Sequence, residues 1–262
     1  MKIEIRQTKE EGVVQITTTD ERWYQKGETF VPSVTWIAGY YPKGIGFYKW
    51  LANHGWDEAE SIKNAAGEKG SRVHKAIDDL ILGNLVKMDS QYKDSEGNLS
   101  DLTVEEWECI VSFADWFKEA KPKIIAHDQV VFNDKVGYAG TIDFIFEIDG
   151  KRWLIDLKTS QYLWPEHELQ VSAYKHATEG VEALAILQVG YRLNKRKWKF
   201  NEVDDKFDLF LSAHKIWENE NKDIHPKQRE YPVELSLNLN DSIEGDSEES
   251  KHTPKTKSVP KK

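Results

Sequence analysis

A chain of 262 residues is long enough to bury one substantial core and does not require two domains. Hydrophobic residues make up 39% and charged residues 31%, and no run of about 18 apolar residues offers a membrane-spanning helix. One cysteine, Cys109, excludes an internal disulfide and a cysteine-ligated zinc or iron–sulfur site, while 45 acidic against 36 basic residues give a net charge of -9 that on its face points away from nucleic acid.

The start, MKIEIRQTKEEG, shows no apolar centre of the kind an export signal carries, and the single cysteine suits a reducing cytosol, the setting expected, with no membrane partner. Ile3 to Ile5 and Val13 to Thr18 alternate apolar with polar residues and read as short strands, with Lys26-Gly27 as punctuation. Ser33 is placed to cap a helix that opens VTWIAGYY. Helical spacing continues over Phe47 to Asn53 and Asp57 to Leu82, the latter with a break expected near Gly67 or Gly70. A further helix is expected over Thr103 to Glu119, where Trp107, Ile110, Val111, Ala114 and Phe117 recur on one face. Trp36, Trp50, Trp56, Trp107 and Trp116 fall in these apolar patterns and are expected in the core.

From Ile124 the period becomes two. Strands are predicted over Ile124–Phe132, Tyr138–Ile148 and Lys151–Lys158, then a helix over Pro165–Glu179 and a strand over Ala183–Leu193. This order implies an α+β class, a central mixed sheet flanked by helices, with an N-terminal extension of strands and helices. Residues 1–235 are expected to form one domain, in which 1–102 carry the extension and 103–235 the core. Residues 236–262 change from an acidic block to a basic one, contain few large apolar residues and are expected to form a disordered tail.

The most informative segment runs from Gly140 to Ser160. Asp149-Gly150 is a favoured two-residue type I′ turn, which sets Ile148 opposite Lys151. Continued along the hairpin, that register sets Phe146 opposite Trp153, Phe144 opposite Ile155 and Ile142 opposite Leu157 on an apolar face. The other face receives Glu147 opposite Arg152 and Asp143 opposite Asp156. Two opposed carboxylates repel, and a divalent cation with oxygen ligands resolves the conflict. Lys158 lies two residues beyond Asp156 on the same face, where an ammonium could orient or deprotonate a water or stabilise charge on a phosphate. Asp143, Asp156 and Lys158 together suit metal-dependent phosphodiester hydrolysis.

The run Gly140-Thr-Ile-Asp143, then Ile155-Asp156-Leu157-Lys158-Thr159, then Gln170 and Tyr174, resembles the PD-(D/E)XK nuclease superfamily. The resemblance is to the branch of RecB-like and mitochondrial genome maintenance exonuclease-like proteins, many of them carried by bacteriophages, and extends upstream to PSVTWIAGYYPKGIGFYKW and AAGEKGSRVHKAIDDLILG. It implies a restriction-endonuclease-like core and a DNA exonuclease that uses Mg²⁺ or Mn²⁺ in recombination, repair or replication. DNA is then the expected partner, with a recombination or single-strand-binding protein as a further one. The resemblance assigns the metal to Asp143, Asp156, the Leu157 carbonyl and His74, and catalysis to Lys158. Asp78, one turn after His74, is expected to orient it or to bond a neighbouring backbone. Gln170 and Tyr174, also one turn apart, are expected to hold Lys158 or contact the DNA backbone. Many relatives carry a glutamate on the first core strand, where this chain offers Asp128 or the neutral Gln129. The neutral amide keeps open an alternative, a catalytically weak nuclease fold that binds DNA or acts as a scaffold.

Basic residues cluster at Arg192, Lys195, Arg196, Lys197 and Lys199, interleaved with Tyr191 and Trp198 in what reads as a hairpin. They are expected either to grip phosphates or to form a solvated turn. Arg72, beside His74, is expected to face the scissile phosphate along with Lys69 and Lys75.

Overall fold

A computed structural model describes residues 4–18, 21–94, 97–222, 224 and 226. All lie within the first of two units, Met1–Pro226. The expected tail, 236–262, lies outside the described residues.

The chain opens with a four-stranded antiparallel meander, β1 (Glu4–Gln7), β2 (Val13–Thr17), β3 (Arg22–Lys26) and β4 (Thr29–Pro32). Ser33 caps α1 (Val34–Ala38) by accepting the Trp36 N–H at 3.1 Å. Then come α2 (Ile45–His54), α3 (Trp56–Ile81), a small β5 (Gln91–Lys93) and β6 (Leu99–Asp101) pair, and α4 (Val104–Ala120). Thr103 and Glu106 close a reciprocal capping box at the start of α4. The core follows as β7 (Lys123–Asn133), β8 (Tyr138–Ile148), β9 (Lys151–Lys158), α5 (Pro165–Lys175), β10 (Ala183–Val189), β11 (Trp198–Val203) and α6 (Phe207–Glu220).

The central sheet has the order β11-β10-β9-β8-β7. The β9 and β10 strands run parallel, joined across α5, and the other pairs are antiparallel, so the sheet is mixed. Val34, Ile37, Leu169, Ala173, Phe210 and Trp217 of α1, α5 and α6 cover one face, against Ile145, Leu154 and Ile186. Val73, Ile77, Ile110, Phe113 and Trp116 of α3 and α4 cover the other, against Phe144, Phe146, Ile155 and Leu187. Each large side chain removed from water here contributes about 1.5–3 kcal/mol. The meander packs Val13 and Tyr24 onto Val130 and Ala139, and the Tyr24 hydroxyl meets Thr141 Oγ1 at 2.9 Å.

Several expectations are corrected. The α3 helix is continuous through Gly67 and Gly70, neither of which has positive φ. Two helical glycines cost about 1 kcal/mol each relative to alanine, and the buried Val73, Ala76 and Ile77 of the same helix offset that. The last predicted strand stops at Val189, because Gly190 turns with φ 65 before β11 returns. The helix after β9 ends at Lys175 rather than Glu179. The β8–β9 register runs as predicted from Ile148–Lys151 to Phe144–Ile155, through a turn in which Asp149 and Gly150 have φ 52 and 76. Beyond Phe144 the ladder ends, so Asp143–Asp156 and Ile142–Leu157 are not directly paired. Ile142 packs in the same layer as Ile145 while Phe144 lies in the opposite one, so the two-residue alternation slips at Asp143.

Candidate active site

The place where β8 and β9 part is where the acidic and basic side chains meet. Asp143 supplies its own bond in place of the ladder: its Oδ2 accepts the Leu157 N–H at 2.7 Å. Its Oδ1 lies 3.4 Å from Nδ1 of His74, which reaches in from α3, and His74 Nε2 lies 3.2 Å from the Leu157 carbonyl oxygen. On the α5 side, Lys158 Nζ lies 2.7 Å from Asp156 Oδ2 and donates to Gln170 Oε1 at 3.3 Å. Gln170 Nε2 donates to the Tyr174 hydroxyl at 3.0 Å. The Tyr174 ring rests on Gly140, where an added Cβ would come within 2.3 Å of Cε1. Glycine is thus required at 140 for close approach, since no side chain fits under that ring.

Burial and charge set the protonation of this cluster. Asp156 is 2% exposed, and burial pushes its carboxyl up to about 6, against the pull of Lys158 and with the help of Asp143. Burial also works against the charge on Asp143, but His74, Lys158 and the Leu157 N–H hold that carboxyl below its ordinary range. Burial would strip the proton from His74 and from Lys158; the neighbouring carboxylates overcome this and hold both above their ordinary values. The two acids are thereby split into a readily ionised one and a more basic one.

The donor set suits a hard divalent cation: two carboxylates, a backbone carbonyl and an imidazole. Asp156 Oδ2 is buried and accepts no well-aligned hydrogen bond, an oxygen with coordinating capacity left over. Among the described residues no three His, Cys, Asp or Glu side chains already converge as a cage; His74 and Lys158 lie against the carboxylates as ion-pair partners.

A cleft of about 1690 Å³ opens over this cluster, lined by α2, α3, the meander, the β9–α5 loop and Arg192. Of the two first-strand candidates, Asp128 lines the cleft and the exposed Gln129 does not. Asp128 adopts the left-handed region with φ 46 and pairs with Lys9 at 3.1 Å. A carboxylate therefore stands on that wall, and the neutral amide pairs on the strand with Ile142.

Other expectations move. Asp78 does not orient His74; its Oδ1 lies 3.4 Å from His127 Nδ1, and burial followed by the nearby Asp128 raises its carboxyl. Arg72 does not enter the cleft. Its guanidinium grips Glu106 at 2.7 Å and bonds Ser100, tying α3 to α4. The basic hairpin exists, but Arg192 alone of its named bases lines the cleft, with its guanidinium on Glu105 at 2.7 Å. Arg196 pairs with Glu119, and Lys195 and Lys197 are exposed outside the cleft. Trp56 is exposed, not core.

The sequence reading missed His127, Gln161, Gln188 and His167. Gln161 bonds Gly190 O and the Arg192 N–H, and Gln188 bonds Ser160 O, so these two amides pin the loop after β9. His167 lines the cleft from α5, and burial, then Lys158 and Lys43, push its imidazole down to about 3. The helical i, i+3 offset of His167 from Gln170 was the available signal.

No family model matches the chain, and no curated protein does. Among solved structures, it is similar to a proposed exonuclease from Eubacterium rectale, at 14% identity over 69% of this chain and 79% of that one, with a TM-score of 0.39. It is also similar to an alkaline exonuclease from Laribacter hongkongensis, at 12% identity over 72% of this chain and 87% of that one, with a TM-score of 0.36.

Proposed function

We propose that the chain is a Mg²⁺- or Mn²⁺-dependent deoxyribonuclease acting on DNA ends. One observation carries the reading: Asp143, Asp156, Lys158 and His74 meet at the floor of a cleft whose walls hold Arg6, Arg22, Lys63, Lys69, Lys75 and Arg192. Cationic walls suit phosphates, and a buried acidic floor beside a lysine suits phosphodiester chemistry more than simple DNA binding.

Asp143, Asp156 and the Leu157 carbonyl would hold the cation, with His74 as the nitrogen donor. When bound, it would polarise a phosphoryl oxygen and acidify a neighbouring water. Lys158, beside Asp156 at 2.7 Å, is placed to donate to a non-bridging phosphate oxygen or to orient a water. Gln170 and Tyr174 position Lys158 as a relay: the tyrosine fixes the amide, and the amide oxygen fixes the ammonium. His167 stays neutral and can donate or accept on the cleft wall without repelling Lys158.

The test is degradation of end-labelled linear DNA and covalently closed circles, in Mg²⁺, Mn²⁺ or EDTA. Wild type should shorten linear DNA only with a divalent ion, and Asp156→Ala and Lys158→Ala should each lose about 10²-fold or more. Equal products from wild type and Asp156→Ala would sink the reading, and cleaved circles would make the activity endonucleolytic.

A further inference from the structure

Four aromatic side chains stand exposed among the described residues, Tyr48, Trp56, Tyr162 and Trp164, and three of them line the cleft. Trp56 is 71%, Tyr162 73% and Trp164 43% exposed. Leaving large rings in water forgoes the stabilisation that burial gives aromatic side chains such as Phe113, Trp116 and Tyr138. Phe47, Tyr48 and Trp50 contact one another, whereas Trp56, Tyr162 and Trp164 make no ring–ring or cation–π contact among the described residues.

Two walls carry them. Trp56 opens α3, just after Gly55 turns the chain with φ 78. Tyr162 and Trp164 sit on the loop after β9, immediately beyond Lys158. That loop is held by Gln188 on Ser160 O, by Gln161 on Gly190 O, and by the Lys43–Glu166 ion pair at the start of α5. Tyr162 and Trp164 are thus presented from a braced backbone. Cationic side chains on the same walls complement a phosphate chain, and unpaired bases are the flat apolar groups such a chain carries.

We infer that Trp56, Tyr162 and Trp164 form a base-stacking clamp that seats the unpaired terminal nucleotides of a DNA strand in the cleft. This rests on the proposed function for the identity of the ligand, but the stacking is independent of hydrolysis. The interior bases of a duplex have both faces occupied by their neighbours in the stack and cannot stack on the rings. The clamp is therefore selective for unpaired ends and indifferent to sequence, since every base has a face to stack.

The experiment uses the full chain in EDTA at low salt and fluorescence anisotropy of labelled oligonucleotides: a thymidine oligomer, an abasic oligomer of equal length, and a blunt duplex. Wild type should bind the thymidine oligomer about tenfold or more tighter than the abasic one. Trp56→Ala, Tyr162→Ala and Trp164→Ala should each weaken thymidine-oligomer binding by about 5- to 100-fold and leave abasic and duplex binding unchanged. Trp56→Phe should retain most of the affinity, and Leu85→Ala, at an 81%-exposed position outside the cleft, should retain all of it. Equal binding of thymidine and abasic oligomers by wild type, or wild-type binding by all three alanine variants, would overturn the clamp even if the protein degrades DNA. Base-dependent binding without hydrolysis in any metal would leave the clamp standing and remove the nuclease reading.

Discussion

Gly140 and Tyr174 show how a contact between two side-chain positions can set the geometry of a third. The ring sits where a Cβ would be, its hydroxyl takes the Gln170 amide, and the amide oxygen holds Lys158. Gly140→Ala must push the ring off β8, at a cost of about 1–3 kcal/mol for overpacking. The relay is displaced with it, so activity should fall alongside stability. In a Tyr174→Leu background the same glycine change should cost much less, because the atoms that collide are gone. Urea midpoints for the four proteins of that cycle measure the coupling. Additive costs would mean that Gly140 serves some need other than room for the ring.

At the scale of elements, the α3–α4 junction is held by a charge that the sequence reading assigned to substrate. Glu106 is 1% exposed, caps α4 through Thr103, and takes the Arg72 guanidinium. Removing Arg72 strands a buried carboxylate, a loss of about 3–5 kcal/mol, whereas replacing both partners by apolar residues can be nearly neutral. Arg72→Met should lower the thermal midpoint sharply, Arg72→Met with Glu106→Leu should recover most of it, and DNA affinity measured well below the midpoint should match wild type in both. A large affinity loss in the folded Arg72→Met protein would return Arg72 to the substrate. The contrast with the β8–β9 hairpin explains what was legible. A type I′ turn and a period of two fix register locally, so the strand bounds, the Phe144–Ile155 pair and the approach of Asp156 to Lys158 could be read from residue order. Where Asp143 leaves the ladder, and which helix meets Arg72 or Asp78, depends on packing between elements far apart in sequence, and local pattern carries none of that. Asp128 against Gln129 was the same problem at one residue: a left-handed backbone turns the acid into the cleft, and no propensity marked it. The α6 helix was legible in principle from Phe210, Ala213 and Trp217 at helical spacing.

For the whole molecule, a net charge of -9 and a DNA-facing cleft are compatible only if the positive charge is local and the floor is neutralised. Six bases line the walls apart from Lys158, namely Arg6, Arg22, Lys63, Lys69, Lys75 and Arg192, yet Lys69 and Arg192 both spend charge on Glu105, and Lys63 pairs with Glu60. Each phosphate neutralised on a single strand releases counterions, with a slope of about -0.7 per contact in log affinity against log salt. Six contacts would give about -4, and three, if the paired bases stay with their glutamates, about -2. Equilibrium binding of a single-stranded oligomer by a hydrolysis-deficient Lys158→Ala protein, titrated from low to moderate salt, should therefore fall between those slopes. Adding Mg²⁺ should tighten binding at every salt concentration, because a cation on Asp143 and Asp156 inverts the field at the floor. The enhancement should vanish in Asp143→Asn with Asp156→Asn, which removes both floor charges. A slope much steeper than -4, or tight binding that ignores Mg²⁺, would place the DNA on a different surface of the molecule.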